Sequence, residues 1–168
     1  MVRASPHLRL FVPTEIEILR AIEKAARARY AALPDFAFAS NGNPIAVDRF
    51  SAGLTVVSDV SDRQAGFALL QPLDGLLYLA NISVLPECGN AGVGTALLDA
   101  ALAVARGCGA PAIALTTFKL PLWNGPWFRK HGYIAMPRDE MGSGLRAILD
   151  RHATFLDITT RETLWKPL

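Results

Sequence analysis

The sequence predicts one α/β domain (α+β type) on a mixed, mostly antiparallel sheet of about seven strands. Three observations predict it. Short β-rich runs alternate with longer helical runs along the chain. Three strands within residues 54–85 follow one another through hairpin-sized links. A glycine-rich loop then leads from the longest strand into an Ala- and Leu-rich helix. No repeat, low-complexity segment or linker interrupts the 168 residues, so 1–168 is expected to be a single domain.

His7–Val12 reads as a first strand, broken by Pro13-Thr14. Thr14 and Glu17 make a Thr-x-x-Glu capping box. Ile18, Leu19, Ile22, Ala25, Ala26 and Tyr30 recur at helical spacing, which predicts a helix over 15–32, ended by Leu33-Pro34. Residues 34–50 read as loop, with SNGNP as a turn and a short helix near 44–50. Leu54–Ser58, Ala65–Gln71 and Leu76–Leu85 are three strands of an antiparallel meander, joined by SDVSDRQ and PLDG. The third is apolar almost throughout, which predicts burial on both faces. Thr95–Arg106 is a strong helix, stopped by GCGAP. Ala112–Thr117 is a buried strand, and Leu122–His131 turns from loop into helix. Gly132 follows where a helix C-terminus favours glycine. Tyr133–Met136 is a strand, Leu145–Phe155 a helix and Thr160–Lys166 a last strand.

Composition excludes several classes. Hydrophobic residues are 51% and charged residues 19% of the chain, which argues for a packed core and against disorder. A net charge of +2, with scattered basic residues, argues against a nucleic-acid or membrane-surface partner. No apolar stretch reaches the ~18–20 residues of a membrane span, and MVRASPHLRL lacks the apolar core of a signal peptide. Cys88 and Cys108 are too far apart for a CxxC pair or a zinc knuckle, so no metal and a reducing, cytoplasmic location are expected.

The chemistry is concentrated in PECGNAGVGTALLDAAL, residues 86–102. A strand, a Gly-rich loop and a helix present backbone N–H groups at the positive end of a helix dipole, a ready site for phosphate. Glycine allows positive φ and lets a ligand approach the backbone. A P-loop needs lysine where Thr95 stands, and a dinucleotide fingerprint needs glycine where Leu97 stands. A third pattern is Gln/Arg-x-x-Gly-x-Gly/Ala before an Ala/Leu-rich helix, and GNAGVGTALLDAALAVA is similar to it.

That pattern is the pyrophosphate loop of the GNAT superfamily of acetyl-CoA-dependent N-acyltransferases. The resemblance extends to ISVLPE before the loop, LTTF through LWNGPWFRKHGY after it, and LRLFVPTEIEILRAIEKAA at the start. It covers most of the chain in the family's order, and implies a GNAT-like sheet with helices on both faces. It also implies acetyl-CoA as co-substrate, held by the amides of Gly89, Asn90, Ala91, Gly92, Val93, Gly94 and Thr95 around its pyrophosphate. Ile82, Ser83 and Val84 would pair with the pantetheine amides where the strand splays. The Val84 N–H would hold the developing oxyanion. Asn124 falls at the family's CoA-contacting asparagine, although from sequence alone a helix N-cap is an equal reading.

Three departures stand out. Gly89 replaces the motif's usual Gln or Arg, losing a side-chain contact and keeping an amide. Phe128 stands where relatives often carry a tyrosine that protonates the leaving thiolate, and is expected to pack on the pantetheine arm instead. Asn81 stands where many relatives carry a glutamate base, and can orient a water or an amine. Glu87 and His131 read more simply as a solvated loop acid and a helix-end histidine. Asp35, Asp48 and Asp74 are loop acids without a motif. Trp123 and Trp127 serve an acceptor pocket, the core or a dimer interface. Arg129 and Lys130 reach a CoA phosphate or line a solvated helix face. Cys88 lacks a base partner for nucleophilic catalysis. Two functions follow: acetyl transfer to an amine of a small molecule or peptide by direct attack in a ternary complex, or a CoA-binding regulatory module with little turnover. A homodimer through the C-terminal strand or the tryptophan face is compatible with either.

Overall fold

A computed structural model describes residues 5–168. Among the described residues a seven-stranded sheet runs in the order β1-β2-β3-β4-β5-β7-β6, with four α-helices and several 3₁₀ turns. The strands are β1 His7–Leu10, β2 Leu54–Val60, β3 Arg63–Leu73, β4 Leu76–Val84, β5 Ala112–Phe118, β6 Ile134–Ala135 and β7 Arg161–Pro167. The helices are α1 Ile16–Ala28, α2 Val93–Gly107, α3 Gly125–Lys130 and α4 Ser143–Ala153. The chain packs as two compact units, one running to Leu70 with Asn81–Leu102, the other being Gln71–Ala80 with Ala103–Leu168.

In the first unit β1 pairs antiparallel with β2, and β2 with β3. The expected seven-residue link between β2 and β3 shrinks to Ser61-Asp62, because Val60 still pairs with Arg63. Both turn residues adopt positive φ, 50° and 59°, as a two-residue hairpin requires. One face of α1 buries Leu19 and Ile22 against Phe50, Val57 and Phe67. Gly66, beside Phe67 on β3, faces the other way. A Cβ there would stand 2.7 Å from the Ser83 carbonyl and 3.0 Å from Val93 of α2, so only glycine lets α2 lie this close to the sheet. Helices thus cover both faces.

The expected capping box at Thr14 and Glu17 does not form. Pro13–Glu15 is a 3₁₀ turn, and Glu15, rather than Glu17, accepts the Val12 N–H at 3.1 Å. Glu17 instead pairs with Arg20. Arg9 bridges Glu15 and Asp59, joining β1, this turn and β2. Residues 34–50 carry a 3₁₀ turn at Pro34–Asn41, where a loop was expected, and another at Val47–Phe50, within the short helix expected near 44–50.

In the second unit β7 pairs antiparallel with β5 and β6. Trp165 and Ala114 share a face with Leu145 of α4 and Tyr78 of β4. Glu162 and Lys166, on the opposite face of β7, meet Arg129 and the His131 carbonyl at the end of α3. The PLDG link is a two-residue turn, Asp74-Gly75, with φ of 53° and 77°. Asp74 caps α4 across the fold, accepting from Gly144 N at 2.9 Å and Leu145 N at 2.8 Å. It is therefore committed to structure. Gly132 ends α3 at φ +85°, as expected.

Candidate active site

β4 is less buried than its apolar sequence suggests. Leu77, Tyr78 and Leu79 are buried, but Ala80, Asn81, Ile82 and Val84 are half-buried. Its parallel ladder with β5 covers Leu77–Tyr78 opposite Ile113–Ala114. At its far end Leu85 donates to the Ala65 carbonyl of β3 at 2.8 Å. Backbone polar groups alternate sides along a strand. The N–H groups of Ile82 and Val84 are therefore turned to the edge of β4 away from β3. The Oδ1 of Asn81 accepts from the Ser83 hydroxyl at 2.7 Å. This bond orients the carboxamide, which can donate through Nδ2 and accept once more on Oδ1 but cannot act as a base.

After β4, Pro86–Cys88 forms a 3₁₀ turn and the loop folds back on itself. Cys88 N donates to Leu85 O, Gly89 N to Pro86 O at 3.2 Å and Ala91 N to Cys88 O at 3.1 Å. The expected continuous run of phosphate-binding amides is thus interrupted: those of Gly89 and Ala91 are held by loop carbonyls. α2 begins at Val93, and Ala96 N is bonded to Gly92 O. Among the described residues the amides of Gly92, Val93 and Gly94 carry no hydrogen bond, as the first N–H groups of a helix must. Gly92 has φ +79°, and nothing lies within 4 Å of where its Cβ would stand. Three adjacent donors beside open space fit a diphosphate. Asn90 lies exposed on the loop and Thr95 exposed in the first turn of α2.

The second unit places the remaining candidates. Asn124 occupies the N-cap position of α3, with Phe128 N bonded to its carbonyl at 3.1 Å, but its side chain makes no cap bond. Phe128 is 4% exposed and packs edge-on against Trp127 and Tyr133, with centroids 4.9 and 5.6 Å apart. Its ring belongs to an aromatic cluster. Arg129 forms a two-pronged ion pair with Glu162, both bonds at 2.6 Å, so it is committed there and not to a cofactor phosphate. The glycine at 125 is required by that pair, whose Glu162 carboxylate stands where a Cβ would be. His131 caps α3 and turns Nδ1 to the Trp127 carbonyl at 2.9 Å, so Nδ1 carries the proton of the neutral ring. Burial, and then the Glu87 carboxylate, push the Cys88 thiol up against the pull of Arg63, which disfavours a thiolate nucleophile.

One polar cluster was not singled out from sequence. Tyr78, Thr116 and Arg161 meet on the α4 face of β4, β5 and β7. The only sequence trace of it is a phenol and a threonine among aliphatic strand residues.

A family model described as Acetyltransferase (GNAT) family matches residues 17–133, more than half of the chain. The chain belongs to that family. Solved structures share the fold. A GCN5-related N-acetyltransferase from Rhodopseudomonas palustris is 23% identical, with 100% of this chain and 99% of that one covered at a TM-score of 0.70. The PaiA N-acetyltransferase of Thermoplasma acidophilum, solved with coenzyme A, is 12% identical over 98% and 99%, at 0.73. A GNAT family acetyltransferase from Brucella melitensis, solved with acetyl-CoA, is 25% identical over 79% and 84%, at 0.58. Among the described residues no group of three or more His, Cys, Asp or Glu is placed to hold a metal.

Proposed function

We propose that this protein transfers an acetyl group from acetyl-CoA to a primary amine of a small molecule or peptide, by direct attack in a ternary complex. The observation that carries the proposal is the row of unbonded amides at Gly92, Val93 and Gly94, at the head of α2 and inside the family-matched region. These amides would hold the pyrophosphate, with Asn90 on the loop and Thr95 in the first turn of α2 beside them, and Gly89 and Ala91 shaping the turn. The outward backbone groups of Ile82 and Val84, on the edge of β4 away from β3, would take the pantetheine amides, with Ser83 between them turned to β3.

The Val84 N–H would donate to the thioester carbonyl as negative charge builds on its oxygen. Asn81 would orient a water through Nδ2, or accept an N–H of the attacking amine on the second lone pair of Oδ1 and leave the amine lone pair free to attack. The amine lone pair forms the new C–N bond, the C–S bond breaks and the sulfur leaves as thiolate. Water takes the ammonium proton, since neither Asn81 nor Phe128 can exchange one. A thiol of pKa ~8.5 leaves readily without an acid, and positioning supplies much of the acceleration.

The absence of both usual proton handlers also favours a second reading, a CoA-binding regulator. Thiol release from acetyl-CoA across an amine library decides between them. Free thiol formed only with an amine present supports transfer; tight CoA binding with no thiol from any amine supports the regulator.

A further inference from the structure

The three amides at the head of α2 are neutral, and the loop that carries them brings no cation. Over residues 86–95 the one formal charge is the carboxylate of Glu87, and the only basic residue of α2 is Arg106, in its last turn. A diphosphate carries at least two negative charges, so its positive partner must come from elsewhere in the fold. The neighbouring strand holds a cation. β3 and β4 form a hairpin, and Leu85 N donates to Ala65 O at 2.8 Å, so the start of β3 lies against the end of β4, where the loop begins. Gln64 reaches Glu15, at the head of α1, so Arg63 beside it turns to the α2 side of the strand. Val93 of α2 packs over Gly66, three residues along β3 from Arg63, or about 10 Å at the rise of a strand. The charge of Arg63 is felt by the Cys88 thiol in the loop between β4 and α2. Arg9, Arg20, Arg27 and Arg129 are each tied to a carboxylate. Arg63 is exposed, and among the described residues its side chain makes no hydrogen bond or ion pair, with Asp62 and Glu87 included.

We propose that Arg63, from outside the glycine loop, is the cation that pairs with the pyrophosphate of coenzyme A at the head of α2. The amides of Gly92, Val93 and Gly94 direct the phosphate oxygens, and the guanidinium supplies the charge that the amides lack. The long, exposed side chain is free to swing onto the ligand, because no carboxylate has to release it first. The inference rests on the reading of this loop as the acetyl-CoA site, and adds to it a residue of β3.

The test is calorimetric binding of two ligands to the full chain: coenzyme A, and dephospho-coenzyme A, which keeps the pyrophosphate and lacks the 3′-phosphate. Arg63→Gln should raise Kd for both by the same factor, about tenfold. Arg63→Lys should recover part of the loss. Added salt should weaken binding to the wild type more steeply than binding to Arg63→Gln. Equal Kd values for the wild type and Arg63→Gln overturn the inference. So does a loss seen with coenzyme A and absent with dephospho-coenzyme A, which would give the arginine to the 3′-phosphate. Thiol release from acetyl-CoA with amines present reads the acetyl-transfer proposal separately. A wild type that binds coenzyme A through Arg63 and releases no thiol overturns that proposal alone. Turnover by the wild type with KM for acetyl-CoA unchanged in Arg63→Gln overturns this inference alone, and a wild type that binds no coenzyme A overturns both.

Discussion

Gly92 and Gly89 look alike in the sequence but differ in the fold. Gly92 needs φ +79° and borders open space, whereas Gly89 has an ordinary φ of −59° and an amide already bonded. Gly92→Ala should cost about 1–2 kcal/mol of stability and raise KM for acetyl-CoA about tenfold by placing a methyl group in the ligand's path. Gly89→Ala should change that KM by less than about threefold. Equal effects would refute the assignment of the donors to residues 92–94. A second pair of residues shows opposed electrostatics. Burial raises Glu23, and its partner Arg27 only partly offsets this. Burial also acts to raise Glu15, but donors from Arg9, Val12 and Gln64 overcome it and hold Glu15 below its ordinary 4.5. Glu15 thus adds stability above its unfolded pKa that is lost as pH falls through the lower folded value. Glu23 has the reverse sign, its charged form being penalised until pH falls through a folded value above 4.5. Carboxyl-carbon NMR titration should find Glu15 below 4.5 and Glu23 above it; the opposite order would contradict this account. The glycine motif was legible as a motif, but which amides remain available depends on a turn at Pro86–Cys88 that composition does not encode.

Element boundaries were legible wherever one interaction decides them locally. Asp74-Gly75 and Gly132 announce a hairpin and a helix end through the φ they permit. Helix α1 and its start were visible from spacing, but the capping box was misplaced, because a 3₁₀ turn over Pro13–Glu15 puts the capping carboxylate at Glu15 and not at Glu17. Contacts distant along the chain were not legible. Asp74 caps α4 from a hairpin far upstream, and Gly142 and Gly144 are glycine because its carboxylate occupies the space of their Cβ atoms. Asp74→Ala should destabilise the protein by about 0.5–2 kcal/mol, read as a lower denaturation midpoint; an unchanged midpoint would deny the cap its role. Gly66→Ala drives a methyl against the Ser83 carbonyl, Val93 and Leu97. We expect a loss of about 1–3 kcal/mol, with weaker CoA binding because the head of α2 must shift. Intact binding at reduced stability would show that the amide row tolerates that shift.

At the scale of the whole molecule, the order of segments carried more information than any one of them. A strand ending in ISVLPE, a glycine loop, an Ala/Leu helix and an Asn-to-Gly-Tyr helix recur in the family's sequence order, and the seven-stranded mixed sheet follows. No helix among the described residues is long and apolar enough to cross a membrane. The cluster of Tyr78, Thr116 and Arg161 lay outside such reasoning, because only the folded sheet brings these side chains together. The central claim is that the amides at the head of α2 grip the pyrophosphate of acetyl-CoA. Amide NMR of the full chain titrated with CoA tests it most directly. The account predicts that the Gly92, Val93 and Gly94 N–H resonances shift furthest of the loop amides, while those of Gly89 and Ala91 move little. Saturable CoA binding that leaves these three resonances in place would contradict it.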